Sequence, residues 1–157
     1  MPELGQLRLY GQPSSKSALE WNWVETQLTE AGTYWVTART PGHPHPRPVW
    51  GVWKEGCLHL SIGTPAAARA IATDPVVTVH LESGTEPVIV EGYVAGTTSE
   101  PGILAAYNLK YDWEYDAAEY GPLTSVAPGK VLAWRTAGWA GRESFQQTGR
   151  WTFARRR

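Results

Sequence analysis

The sequence predicts a mainly β protein (class α+β), a small closed antiparallel barrel of about six or seven strands with two or three short flanking helices. The chain has 157 residues, enough for one domain with one core. Hydrophobic residues make up 42% and charged residues 18%, an ordinary globular composition. The 16 Gly and 12 Pro are typical of short strands joined by tight turns. We therefore treat residues 1–157 as a single domain, with residues 1–16 as an N-terminal arm and residues 155–157 as a flexible basic tail.

Charge and cysteine content exclude several classes of protein. With 14 basic and 15 acidic residues the formal net charge is −1, whereas nucleic-acid binding usually requires a basic face. No apolar run approaches the roughly 20 residues that cross a bilayer, and the first residues lack a secretory-signal pattern. The single cysteine, Cys57, has no partner for an internal disulfide or a cysteine-rich zinc site. We expect a cytoplasmic protein with neither nucleic-acid nor membrane partners.

The first third of the chain predicts one helix and three strands. Ser17 and Glu20 have the capping-box spacing, which predicts a helix over residues 18–31. Aromatic and β-branched residues or alternating apolar positions predict the strands, over residues 33–39, 45–53 and 57–62. Pro46 and Pro48 each remove a backbone donor, so residues 45–53 are predicted to form an edge strand or a ligand-facing segment.

The rest of the chain alternates short helices with hairpins. Pro65 and Pro101 stand at the first position of two predicted helices, which cover residues 64–72 and 100–109. Alternating apolar residues predict the remaining strands, over residues 76–82, 87–95, 130–136 and 150–154. Residues 110–129 are predicted to be an irregular, aromatic-rich loop.

The segment from Trp35 to Gly92 resembles the pyridoxamine 5′-phosphate oxidase-like flavin and deazaflavin oxidoreductases. The resemblance rests on the order and spacing of short segments, which are YWVTAR (34–39), GHPH (42–45), PVWGVW (48–53), LHLS (58–61), DPVV (74–77), HLESG (80–84) and VEG (90–92). It implies a split β-barrel and a homodimer with two cofactor sites at the subunit interface. Members bind FMN or coenzyme F420, and some bind haem or no flavin.

The resemblance also implies which residues hold the cofactor. It assigns the ring contacts to the proline-broken strand, namely His45, Arg47, Pro48, Val49 and Trp50. It assigns the phosphate to a helix N-terminus, which favours an anion, through Ser61, Gly63, Thr64 and the cation Arg69. Many relatives carry Lys and Asn where this chain has Ala67 and Ala70, which removes one charged phosphate contact.

Aromatic residues cluster between positions 107 and 120, as Tyr107, Tyr111, Trp113, Tyr115 and Tyr120. They favour equally a lid over a substrate and packing against a dimer partner. We assign Tyr107, Tyr111, Trp113 and Trp134 as candidate substrate contacts.

No motif indicates a nucleophile or a metal site. His43 and His45 could form a metal pair, but solvation in a turn and the ring-contact role of His45 are favoured. For His80, a solvated strand face is favoured over acid–base chemistry, and Cys57 is expected to be a buried thiol. Haem binding would have to use His80 or His45.

We therefore predict an oxidoreductase that uses coenzyme F420, or else FMN, to reduce a small planar organic substrate, with no catalytic side chain assigned. The alternative is a cofactor-independent or non-catalytic ligand-binding barrel that has lost the phosphate clamp.

Overall fold

The computed structural model describes residues 1–9, 12–13, 17–138 and 144–154. The helices of this part are α1 Trp21–Glu30, α2 Pro65–Thr73, α3 Pro101–Tyr111 and α4 Ala117–Tyr120. Its strands are β1 Glu3–Gly5, β2 Arg8–Leu9, β3 Gln12–Pro13, β4 Ser17–Ala18, β5 Tyr34–Arg39, β6 Pro44–Val49, β7 Gly51–Lys54, β8 Cys57–Leu60, β9 Val76–His80, β10 Val88–Thr98, β11 Leu123–Thr136 and β12 Phe145–Thr152. None of the helices in these residues is long and apolar enough to cross a membrane.

The main sheet is antiparallel except where β4 pairs with β12. Its strand order is β1-β12-β11-β10-β9-β5-β6, and β8 joins it by pairing with both β11 and β7. The ring of paired strands is not closed. The chain connects β6 to β7 at Trp50, but these two strands do not pair with each other. The predicted antiparallel α+β fold is thus confirmed as a split barrel, and the predicted closed barrel is wrong.

A row of valines crosses the inner face of the sheet. Val36, Val79, Val90 and Val131 pair in register on four neighbouring strands. Each is at most 1% exposed. Helix α1 packs Val24 and Leu28 into the same core. Burying such side chains stabilises the fold by about 1.5–3 kcal/mol each, so the sheet and α1 form one rigid platform.

The first helix begins later than predicted. Ser17 and Ala18 form a parallel pairing with Gln147 and Thr148 of β12, and the Leu19 amide donates to the Thr148 carbonyl. These backbone groups are therefore engaged in the sheet and cannot start a helix. Helix α1 starts at Trp21 without a side-chain cap.

Several other boundaries differ from prediction. The last strand runs over Phe145–Thr152 and not 150–154, because its first residues pair with the end of β11. The predicted strand over residues 45–53 is broken at Trp50 into β6 and β7, and β6 lies at the sheet edge, as its prolines indicate. The predicted loop over residues 110–129 instead contains α4 and the start of β11, because β10 is long enough to pair with β11 from residue 123 onward. Within the predicted arm, Glu3–Gly5 pairs with β12, and the predicted tail at 155–157 lies outside the described residues.

Candidate functional site

The junction between β6 and β7 is a close crossing of two backbones. A Cβ atom added to Gly51 would lie 2.6 Å from Leu60 Cδ2 and 2.7 Å from the His59 carbonyl oxygen. Only glycine allows the strands to approach so closely. The Ser61 amide then donates to the Trp50 carbonyl at 2.9 Å, which brings the end of β8 beside the break.

A cleft of about 360 Å³ opens at this junction. Its lining combines the end of β6, the segment between β8 and α2, and one tyrosine, as Arg47, Pro48, Val49, Trp50, Ser61, Ile62, Gly63, Thr64 and Tyr107. We call it the junction cleft. The structure thus brings together four of the proposed ring contacts and three of the proposed phosphate contacts. Sequence reasoning missed Ile62, which follows the matched segment directly.

Aromatic rings form one wall beside the junction cleft. Tyr111 stacks on Trp50 with centroids 4.6 Å apart and planes 4° apart, and Trp113 meets Trp50 edge-on at 6.4 Å. Trp50 remains 46% exposed. Since Tyr111 covers one indole face, the other face offers a surface on which a planar molecule can stack.

A half-buried lysine, Lys110, holds the junction between β6 and β7 through hydrogen bonds. Lys110 Nζ donates to Tyr34 Oη at 2.8 Å and to the Gly51 carbonyl at 2.9 Å. Tyr111 Oη accepts from the Gly51 amide at 2.9 Å and lies 3.0 Å from the Gly32 carbonyl. Burial lowers the pKa of Lys110 to about 8 and raises that of Tyr34. Sequence alone gives no signal for this cluster, because its members are distant along the chain.

The second aromatic of α3, Tyr107, belongs to a small core. It is 2% exposed and packs with Val52, Ile103, Tyr115 and Leu123. Burial raises the pKa of Tyr107 to about 12, and the neighbouring Ser61 hydroxyl opposes part of this increase. Tyr107 therefore fixes α3 against the cleft and is not part of a mobile lid.

His45 is the ring contact that the junction cleft does not include. Its side chain is on the same strand face as Arg47 and Val49, because alternate residues share a face. It is 8% exposed, and its Nε2 atom has no hydrogen-bond partner in the described structure. Burial, followed by the nearby Arg47 and His43, lowers the pKa of His45. A buried polar atom without a partner is unfavourable, so this site favours a ligand that supplies one.

The proposed phosphate cation lies apart from the other phosphate residues. Arg69 lines a second cleft, of about 660 Å³, together with Arg39 and Asp74, which form an ion pair. Ala67 and Ala70 are 2% and 8% exposed, on a helix that packs against β5. A lysine at position 67 would therefore be buried, and it would not restore a phosphate contact at low cost.

Trp134 is not part of the junction cleft. It lies on β11 opposite Thr148, with its ring 6.4 Å from that of Phe145. Among the described residues no group of three His, Cys, Asp or Glu side chains could hold a metal ion. His80 stacks on Trp35 at 6.3 Å and its Nδ1 is 2.8 Å from the Leu81 carbonyl, so it is packed into the sheet surface.

Solved structures with this fold are numerous. An F420 reductase matches with a TM-score of 0.56 and 19% identity, over 68% of this chain and 94% of that one. A FAD-binding protein from Mesorhizobium loti matches with a TM-score of 0.57 and 15% identity, over 86% and 96% of the two chains. A NimC/NimA family protein from Clostridium acetobutylicum matches at 0.59 and 15%, over 84% and 91%.

These neighbours identify the fold of the chain. The chain has the pyridoxamine 5′-phosphate oxidase-like split-barrel fold. At these identities the likeness concerns the fold. No protein-family model matches the sequence, and no curated protein matches it significantly.

Proposed function

We propose that this protein is a flavin- or deazaflavin-dependent oxidoreductase that uses coenzyme F420, or else FMN, to reduce a small planar organic molecule. The observation that carries the proposal is the junction cleft. Two segments that are separated along the chain, residues 47–50 and 61–64, meet there beside an open indole face. A flavin-type ring needs an aromatic surface, polar backbone groups and an anion-binding end, and the cleft combines all three.

The residues of the cleft divide these tasks. The exposed indole of Trp50 would hold the coenzyme ring in this cleft. His45, whose Nε2 has no hydrogen-bond partner in the described residues, lies outside the cleft, so its contact with the ring rests on the resemblance alone. Ser61, Gly63 and Thr64 lead into the N-terminus of α2, where amide groups and the helix dipole favour the phosphate. Arg47 supplies a positive charge in the same cleft.

The coenzyme, when bound, supplies hydride transfer, so the chain needs no nucleophile. The task of the chain is to orient and to exclude water. Lys110 and Tyr111 hold both polar groups of Gly51, which keeps Trp50 in its stacking position. Trp113, which makes a T-shaped contact with the Trp50 ring, would be available to contact a substrate there.

We propose F420 before FMN because the short one-domain form with a tryptophan-rich second strand resembles the deazaflavin branch, and the F420 reductase shares the fold.

We also propose a homodimer. Several large apolar side chains are exposed, among them Trp50, Trp113, Tyr120 and Leu109, and monomers rarely expose such groups together. Mass measurement in dilute solution should give twice 17.3 kDa; the monomer mass would reject the dimer.

Turnover distinguishes the enzyme from the alternative, a ligand-binding barrel without a coenzyme. The burial of Ala67 and Ala70 and the separate position of Arg69 favour that alternative. Purified protein is mixed anaerobically with reduced F420 or reduced FMN and with menadione as a planar quinone acceptor. We expect coenzyme oxidation faster than without protein, saturating with both reactants. Rates equal to the protein-free control for both coenzymes would favour the alternative.

A further inference from the structure

Another cleft, lined by aromatic rings and distinct from the one that contains Arg69, lies at the other end of the β7–β8 hairpin. This cavity of about 440 Å³ is lined by residues that include Trp21, Glu25, Trp53, Gly56, Pro128 and Phe153. We call it the turn cleft, because Gly56 belongs to the turn of the hairpin. It shares no lining residue with the junction cleft.

Three rings form its walls. The Trp21 ring lies 6.4 Å from Trp53 and 5.4 Å from Phe153, measured between centroids, and its plane is inclined by 68° and 65° to theirs. All three side chains are partly exposed. Rings set nearly perpendicular to one another around a cavity can direct more than one π-face towards one guest, which is the arrangement that attracts a cation.

Glu25 adds a charge to these walls. It lies one helical turn after Trp21, so both side chains are on the same face of α1. Among the described residues that line the turn cleft, Glu25 has the only charged side chain, and Met1, which bears the α-amino group, also lines the cleft. No basic side chain in the described part of the chain forms an ion pair with it. A cleft with π-faces and one unpaired carboxylate complements a positive guest, whereas a neutral aromatic guest would desolvate the carboxylate without compensation.

We propose that the turn cleft binds a small organic cation, such as a quaternary or alkylated ammonium group. The ammonium packs against Trp21, Trp53 and Phe153, and Glu25 neutralises its charge. This binding site is independent of the coenzyme proposed for the junction cleft, because the two cavities open at opposite ends of one hairpin.

Calorimetric titration with choline and with its neutral isostere, 3,3-dimethyl-1-butanol, tests the proposal. We expect one choline per chain and about ten-fold weaker binding of the alcohol, because cation–π attraction requires the charge. Glu25→Gln should weaken choline binding about five-fold, since it removes the carboxylate charge and keeps the shape. Glu30→Gln is the matched control, because Glu30 lies on the same helix outside the cleft, and it should leave the affinity unchanged.

Three results would overturn the proposal: no choline binding, equal affinity for the alcohol, or an unchanged affinity in Glu25→Gln. A further variant replaces Arg155, Arg156 and Arg157, which follow the lining residue Ala154, with serine. If choline binds only to that variant, the site is occupied by the chain's own basic segment and not by a separate cation. Equal binding in both forms supports a separate ligand.

Discussion

The two ends of the β7–β8 hairpin differ in what they leave unsatisfied. At the turn, Glu55 and Gly56 both have positive φ, as a two-residue type I′ turn requires, and the nearby cleft is walled by rings and one carboxylate. At the open end, the strand breaks at Trp50, where the Ser61 amide donates to the Trp50 carbonyl and the segment after Ser61 leads into the N-terminus of α2. These differences underlie the two proposals, a cation at the turn and a coenzyme with a planar ring and an anionic tail at the open end.

The largest expected effect comes from closing the space at Gly51. Gly51→Ala places a methyl group within 2.7 Å of Leu60 Cδ2 and the His59 carbonyl oxygen, and neither strand can move away without breaking its ladder. We expect a loss of about 3 kcal/mol in the free energy of unfolding, measured by urea denaturation. Gly63→Ala, where an added Cβ meets nothing within 4 Å, should change the stability little. Similar small losses in both variants would mean that the junction is not a tight crossing.

The next effect concerns the hydroxyl of Tyr34. It donates to the Leu28 carbonyl and accepts from Lys110, and the side chain is fully buried. Tyr34→Phe leaves both partners without this contact and should cost about 2 kcal/mol. Tyr120→Phe changes a half-exposed ring and serves as the control in the same denaturation series. Equal stability of the two variants would contradict the role given to Tyr34.

Lys110 makes stability depend on pH. Burial lowers its pKa from 10.5 to about 8, so between these values the unfolded chain holds a proton that the folded chain has released. Stability therefore rises as pH increases from about 8 to 10.5. The full difference would correspond to about 3.4 kcal/mol, and solvent screening of the half-exposed ammonium reduces the expected rise to about 2 kcal/mol. The rise should be absent from Lys110→Met in urea denaturation at several pH values. Parallel curves for the variant and the natural protein would show that Lys110 is charged and solvated in the fold.

The smallest expected effects are on coenzyme affinity. They distinguish the junction cleft, which contains Arg47, from the second cleft, which contains Arg69. Arg47 lines the junction cleft and Arg69 the second cleft. Arg47→Ala should weaken coenzyme binding about ten-fold, the usual cost of one charged phosphate contact. Arg69→Ala should weaken it no more than about three-fold, as for an exposed charge acting at a distance, whereas the phosphate role that the resemblance assigns to Arg69 predicts a loss of about ten-fold or more. The reverse order, measured by fluorescence titration, would move the phosphate to the second cleft.

Local patterns predicted the regular elements and missed what depends on distant contacts. The strand Tyr34–Arg39 and the helices that start at Pro65 and Pro101 follow from alternation and proline position. The break at Trp50 depends on a contact between Gly51 and Leu60, and the support of Gly51 depends on Lys110 and Tyr111, 59 and 60 residues away. No period in the sequence contains such information. Similarly, the direction of Arg69 follows from how α2 is rotated against β5.

The most direct test of the junction cleft is titration of the purified protein with FMN and with F420, followed by visible absorbance. Stacking on Trp50 predicts a saturable shift of the absorption band with at least one of them. Trp50→Leu should reduce the affinity by about ten-fold, since it removes the aromatic platform. Trp134→Leu, outside the cleft, should leave it unchanged. No band shift with either coenzyme, or equal affinities of Trp50→Leu and the natural protein, would contradict binding at this cleft.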